Sequence, residues 1–305
     1  MMAPSYQYRD HRTTPMMDKV YGIIPYADLY KVTGIESMSF NTVFQIADDI
    51  TRRPWLCENA KTLLLTPDLL GYLLTGKCAS EYTIASTTAL MDAEKREFSD
   101  ELFEKLGIKK DLFAPVVMPG NVLGKLTKKI DEETGHSGAV VVNVGSHDTS
   151  SAIAAVPATD DGFLFISSGT WSLMGIESDT PVINDITRKY SFTNEGGTFG
   201  KINIMKNIMG LWMIQSVRHE YDDKYSFAEL CDMAEEVKDF PSRVDVDAND
   251  FFAPDSMIQA IQDYCERTGQ PVPKTPGEVS TVVYQSLAEC YGRTVKELES
   301  ITDKT

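Results

Sequence analysis

The sequence predicts an α/β protein, on three observations. Helical patterns fill the first 135 residues, a β-branched run bounded by glycines follows at 139–145, and strand-like segments give way to helical ones from about residue 206. Taken in order, residues 41–50 (NTVFQIADDI) carry apolar side chains at helical spacing. Residues 66–76 (TPDLLGYLLTG) offer a cap-like Thr66, a Pro in the first turn and a closing Gly76. The run 139–145 (AVVVNVG) reads as a buried strand, and the small residues of 146–156 as a helix ending at Pro157. Residues 162–175 read as two strands flexed about Ser167-Ser168-Gly169-Thr170. Strand-like segments continue to about 205, with helices expected at about 206–221, 226–238, 254–268 and 276–300. The polar, turn-forming segment 157–162 marks a domain boundary.

Composition narrows the function classes. The 305 residues hold 29 Lys and Arg against 45 Asp and Glu, a formal charge of −16, which repels phosphate backbones and anionic lipid. Nucleic acid and membrane surfaces are therefore not the expected partners. With 42% hydrophobic and 24% charged residues the chain has the makings of a core and is not disordered. The N-terminal residues lack a signal-peptide pattern and no window approaches ~20 apolar residues, so a cytoplasmic protein is expected. The five cysteines, at 57, 78, 231, 265 and 290, include no C-x-x-C, which gives neither a zinc site nor a dense disulfide framework; an isolated bridge stays open.

The most informative residue is Asp148, where a strand meets the first turn of a helix. Helix amides favour an anion there, small neighbours admit a ligand, and α/β folds place active sites just beyond strand carboxyl ends. Position alone leaves the roles of catalytic carboxylate and helix cap both open. The Ser167–Thr170 turn gathers three hydroxyls and several backbone N–H groups in a small volume, which suits phosphoryl oxygens without being a Walker motif; an ordinary hairpin turn has the same composition. A carboxylate after one strand and a hydroxyl-rich turn after the next supply the two parts that phosphoryl transfer to an alcohol needs.

Three further clusters are weaker. Residues 192–197 (FTNEGG) include a Gly pair, and Asn207 and Gln215 are expected on one helix, facing a sugar or a nucleotide edge, or merely solvated. Residues 8–13 (YRDHRT) pack charges in the manner of a solvated surface cluster. Residues 245–250 (DVDAND) resemble the start of a calcium loop but lack its Gly and terminal Glu, and read as a capped loop. His147 serves either a substrate hydroxyl or a core partner.

YRDHRT at 8–13, LTPDLLGYLLTG at 65–76, EYTIASTTAL at 81–90, PVVMPGNVLGKL at 115–126 and SHDTSSAIAAVP at 146–157 resemble the FGGY carbohydrate kinases. So do ISSGTWSLMGIE at 166–177, FTNEGG, KNIMGLWMIQ at 206–215 and AIQDYCERTGQPVPKTPGE at 260–278, all collinear, several in the form typical of the branch acting on L-rhamnulose. The resemblance implies two actin-like (ribonuclease H-like) domains with a cleft between them: residues 1–157, sugar-binding, and residues 158–305, nucleotide-binding. It implies ATP-dependent phosphorylation of the C1 hydroxyl of L-rhamnulose, with Mg²⁺ and no identifiable metal ligand. By the same resemblance Asp148 is the catalytic base, His147, Asp148, Thr149 and Asn207 contact substrate, and Thr170 and Gln215 contact ATP. Kinases for fuculose or xylulose, or a remnant that binds sugar without phosphorylating it, are the rival readings. The family's opening phosphate hairpin and its Gly-rich adenosine motif do not occur in these residues. The chain is accordingly expected to be a fragment, both domains truncated, and poorly active alone.

Overall fold

A computed structural model gives the fold and describes residues 2, 6–7, 10–135, 138–160 and 162–302. The chain divides into two compact units: Met1–Phe163 with Ile176–Met205, and Leu164–Gly175 with Lys206–Thr305.

The first unit opens on helices. α1 (Thr14–Tyr21), α2 (Tyr26–Thr33) and α3 (Thr42–Arg52) bury Met16, Val20, Leu29, Val43, Phe44 and Ile46. Most of these join Ile35, Leu90, Phe103 and Ile108 in one apolar cluster, each buried side chain of that size contributing roughly 1.5–3 kcal/mol. α3 also buries Asp48, which meets Arg12 Nη1 at 2.6 Å and Arg52 Nε at 2.8 Å. Within the YRDHRT segment Asp10 and His11 are exposed as expected, but Arg12 is not solvated, its side chain being only 9% exposed. A buried carboxylate left unpaired is strongly destabilising, and that requirement draws the guanidinium inward. Tyr8 and Arg9 of the same motif lie outside the described residues.

α4 (Pro54–Asn59) and α5 (Thr66–Thr75) follow, α5 with Pro67 in its first turn and Gly76 at its end. Thr66 is not the cap it resembles, since Leu65 holds that position and no side chain caps the helix. Next come β1 (Ser80–Glu81), α6 (Tyr82–Ser86), β2 (Met91–Asp92), β3 (Glu97–Phe98), α7 (Asp100–Leu106), β4 (Val116–Val117), β5 (Val122–Lys125), α8 (Lys128–Thr134), β6 (Val140–Val142) and α9 (Asp148–Ala154). β1 pairs with β4 in parallel, and β2 with β3 and β5 with β6 antiparallel. The run 139–145 is thus a strand only at β6, and not a buried one: Val140 and Val142 are exposed. β-Branched side chains favour extended backbone whichever face is covered, so the run encoded the strand but not its burial.

β7 (Leu164–Ser168), β8 (Trp171–Ser178), β9 (Phe192–Gly196) and β10 (Ile202–Met209) form a four-stranded sheet in the order β7-β8-β10-β9, with α10 (Asp185–Lys189) between β8 and β9 in the chain. The hairpin about Gly169-Thr170 is as the sequence predicted. The helix expected from 206 is not: residues 202–209 are strand β10, buried at every position but Asn207, and α11 (Trp212–Glu220) starts only after Gly210. Short apolar runs fit a buried strand and a buried helix equally well, which is why periodicity misassigned this one.

In the second unit α12 (Phe227–Glu236), α13 (Met257–Arg267) and α14 (Pro276–Ile301) complete the chain. α14 starts on a reciprocal cap, Thr275 with Glu278, and has Pro276 in its first turn. Its buried Val279, Val282, Val283, Leu287 and Cys290 join Met213, Val217, Leu230, Phe251 and Ile261 in the core of this unit. Thr281 Oγ1 donates to the Ala234 carbonyl at 2.9 Å, tying α14 to α12.

Candidate active site

Glu81 organises the candidate site of the first unit. It is fully buried, and its carboxylate accepts from Thr83 N–H (3.0 Å), Thr83 Oγ1 (2.6 Å), Ile84 N–H (3.3 Å), Ser146 N–H (3.0 Å) and Ser146 Oγ (2.5 Å). Thr83 Oγ1 accepts in turn from His147 N–H at 3.1 Å. One carboxylate therefore caps α6 and also clamps the turn that leads into α9. Burying a charge costs several kcal/mol unless donors surround it, and here they do.

On that clamped turn His147 is the N-cap residue of α9 and Asp148 its first helical residue. His147 Nδ1 lies 3.1 Å from Glu195 Oε2, and Nε2 lies 3.8 Å from Asp148 Oδ1. The Nδ1 and Oε2 atoms are both shielded from solvent and have no aligned hydrogen-bond partner, so their contact is an ion pair bent out of hydrogen-bond alignment. Burial by itself would lower the His147 pKa. The neighbouring Glu195, helped by Asp148 and Glu81, outweighs it, and the ring is held above its ordinary value.

Asp148 stands in contrast, with a side chain 98% exposed. Its Oδ1 accepts the N–H of Thr149 at 2.8 Å, while the cap position itself belongs to His147. Thr149 is buried.

Glu195 reaches His147 from β9, a strand buried at all five positions. Gly196 makes the approach feasible: a Cβ there would sit 2.6 Å from Tyr82 Cε1, closer than any side chain tolerates. Its N–H donates to Ser86 Oγ at 2.7 Å, and its carbonyl accepts from Ser150 Oγ at 2.8 Å, so β9, α6 and α9 are stitched together.

The second unit holds the other sequence-predicted residues. Thr170 is exposed in the β7–β8 turn, whose Gly169 and Thr170 carbonyls accept from Leu211 N–H (2.9 Å) and Trp212 N–H (3.2 Å). The turn and the start of α11 are thus one hydrogen-bonded assembly. Gly210 permits it, since a Cβ there would meet Ser172 N at 2.5 Å. Gln215 is exposed on α11, whereas Asn207 is half-buried on β10, so the two do not share a helix face as expected.

Two contributors were missed from sequence, Glu81 and Glu195. Glu195 had a signal: an acid in an otherwise buriable strand needs a partner, and FTNEGG drew attention for its glycines alone. No group of three or more His, Cys, Asp or Glu side chains gathers into a metal cage among the described residues. The 245–250 loop instead spends Asp247 on the Met209 N–H (3.0 Å) and Asp250 on Arg267 (2.8 Å).

Comparison with known proteins adds the lineage. The profile "FGGY family of carbohydrate kinases, N-terminal domain" matches residues 2–155, and its C-terminal counterpart matches residues 164–304. A rhamnulokinase from Halalkalibacterium halodurans is 43% identical over 97% of this chain and 63% of its own length. One from Bacteroides thetaiotaomicron is 39% identical over 100% of this chain and 62% of its own. The chain therefore spans a little over three-fifths of the curated relatives it matches. Among solved structures, a xylulose kinase from Rhodospirillum rubrum aligns with TM-score 0.76 at 16% identity, covering 98% of this chain and 60% of that one. A Plasmodium falciparum glycerol kinase with ADP aligns with TM-score 0.75 at 14% identity, covering 98% and 60%. At such identities these two structures speak to the fold alone.

Proposed function

This chain belongs to the FGGY family of carbohydrate kinases, and from that premise we propose that the protein transfers the terminal phosphoryl group of ATP to the C1 hydroxyl of L-rhamnulose, giving L-rhamnulose 1-phosphate and ADP. The observation that carries the reading is Asp148: a carboxylate 98% exposed, one oxygen held by the Thr149 N–H, on a turn clamped by a buried acid. A base must be open to its substrate yet fixed in direction, and this one is both.

In this reading Asp148 accepts the hydroxyl proton as the sugar oxygen attacks phosphorus. His147, Thr149 and Asn207 hold the ketose, and Thr170 and Gln215 hold ATP. Residues 1–157 are read as the sugar-binding domain and residues 158–305 as the nucleotide-binding domain. Mg²⁺, when bound, would offset the negative charge of the transferred phosphoryl group. The described residues offer it no converging donor set, so no residue is assigned to it and no step runs through it. Among the described residues no helix is long and apolar enough to cross a membrane, and we take the reaction to occur in the cytoplasm, where ATP is supplied.

The test is Asp148→Asn, introduced into a protein carrying this chain at the full length of its relatives, in a coupled ADP-release assay across L-rhamnulose, L-fuculose and D-xylulose. We expect kcat to fall by about 10²–10⁴ with melting unchanged, because the removed charge is exposed. A kcat within threefold of wild type refutes the base assignment. A clear preference for another ketose replaces the substrate and leaves the chemistry.

A further inference from the structure

The proposed reaction leaves one buried carboxylate behind the site without a task. Glu195 is on a wholly buried strand, its side chain 9% exposed. Its Oε1 meets Thr193 Oγ1 at 3.4 Å, and its Oε2, without a hydrogen-bond donor among the described residues, lies 3.1 Å from His147 Nδ1. An acid so poorly supplied with donors is stable beside a cation, and the imidazole is the group in reach. Among the described residues the charged groups acting on that ring are acidic: Glu195 from β9, Asp148 from α9, and Glu81 from the start of α6. The ring's other nitrogen, Nε2, points to the exposed Asp148 carboxylate.

We propose, resting on the reading of Asp148 as the base, that Glu195 is a positioning residue: through Nδ1 it holds His147 as an imidazolium and presents Nε2–H beside Asp148 to an oxygen of the ketose. The consequence is chemical. With both nitrogens protonated, Nε2 is a donor, suited to a carbonyl or hydroxyl oxygen of the sugar. When the ring loses a proton, the nearby negative charge of Glu195 favours the tautomer protonated on Nδ1, and Nε2 becomes an acceptor. Ketose affinity should therefore weaken as pH rises through the His147 pKa.

The test is an NMR titration of the imidazoles in the full chain, which has four histidines, with His147→Gln identifying the resonance. Wild-type His147 should titrate above the ordinary imidazole value, and in Glu195→Gln it should fall below it, since burial is then opposed only by weaker charges. Glu195→Asp should restore part of the rise. Calorimetry without nucleotide should show Glu195→Gln binding L-rhamnulose about tenfold or more weakly, with its pH dependence lost. A wild-type midpoint below the ordinary value overturns the proposal even if Glu195→Gln fails to fold, as does an equal midpoint in the two proteins. The titration needs no turnover, so the two readings fail separately. A raised, Glu195-dependent midpoint without ketose binding overturns the proposed Nε2–ketose contact and leaves only the imidazolium standing.

Discussion

Asp68→Asn should stabilise the protein above pH 6 and not below pH 4. Asp68 is in the first turn of α5 and only 4% exposed; its Oδ1 accepts the Glu81 N–H at 3.0 Å, and its Oδ2 is buried without a hydrogen-bond partner. Burial pushes its pKa from 3.8 up to about 6; the Glu81 N–H bond pulls the other way and the Glu81 charge adds to the rise. The folded pKa exceeds the unfolded one. The favourable contribution is therefore complete below about 3.8 and lost as pH rises to about 6, above which the ionised group is a net cost. A rise of about two units at about 1.4 kcal/mol each gives ~3 kcal/mol, which solvent screening reduces to ~1–2. Asn keeps an acceptor for the Glu81 N–H but forfeits ~0.3–1 kcal/mol of helix-dipole stabilisation. About 1 kcal/mol of net gain remains at pH 7.5, against no gain or a slight loss at pH 4. Urea denaturation of both proteins at the two pH values measures the difference directly. A difference that does not change with pH, or a less stable variant at pH 7.5, refutes the reasoning.

Two other predictions follow from packing. Gly196→Ala forces a methyl to within 2.6 Å of Tyr82 Cε1 and should cost about 1–3 kcal/mol, partly recovered by adding Tyr82→Leu; a single variant as stable as wild type contradicts the contact. Cys78 and Cys231, both exposed, should react rapidly with a thiol reagent at pH 8, whereas Cys290, driven up to about 11 by burial and by Asp247, should react only on unfolding. Mass spectrometry of the alkylated protein reads this out, and native modification of Cys290 at the rate of Cys78 would be inconsistent with it.

How much of this was legible from sequence depends on whether the signal is local. The helix expected from about 276, the Gly76 stop of α5 and the reversal expected at Ser167–Thr170 are short-range chemistry, and each formed about where the residues said it would, the reversal tightened to Gly169-Thr170 because Ser167 and Ser168 belong to β7. β10 was not legible, because a run such as INIMKNIM becomes helix or strand according to what covers it. The exposure of β6 failed for the same reason, since a valine run cannot state whether anything packs on it. Within the site, the Asp148 junction was visible as a strand giving way to a helix. Its partners were not, because Glu81 and Glu195 reach it from segments distant in sequence, and an acid's burial is a property of the assembled unit. Arg12 misled in the opposite direction: its charged neighbours suggested surface, and only the buried Asp48 explains its position.

The three acids around His147 differ in how completely the protein satisfies them, and that gradient separates structure from chemistry. Glu81 has donors on both oxygens from α6 and from the turn before α9, so its loss would release the backbone of Ser146 and His147. Glu195 has the imidazole and one long hydroxyl contact, so its loss should change the charge of His147 before it changes the fold. Asp148 has one backbone N–H and the His147 ring at 3.8 Å and is otherwise in solvent, so its loss should leave the fold intact and lower the His147 charge less than the loss of Glu195. A catalytic carboxylate needs such an arrangement: direction comes from neighbours whose satisfaction does not depend on it, and its own oxygens stay free to bind a proton. The order of melting losses expected for the amide or alanine variants is accordingly Glu81, then Glu195, then Asp148. The order of losses in the chemical step is expected to run the other way for the last two, because the proposed role of Glu195 acts through His147 whereas that of Asp148 is at the substrate itself.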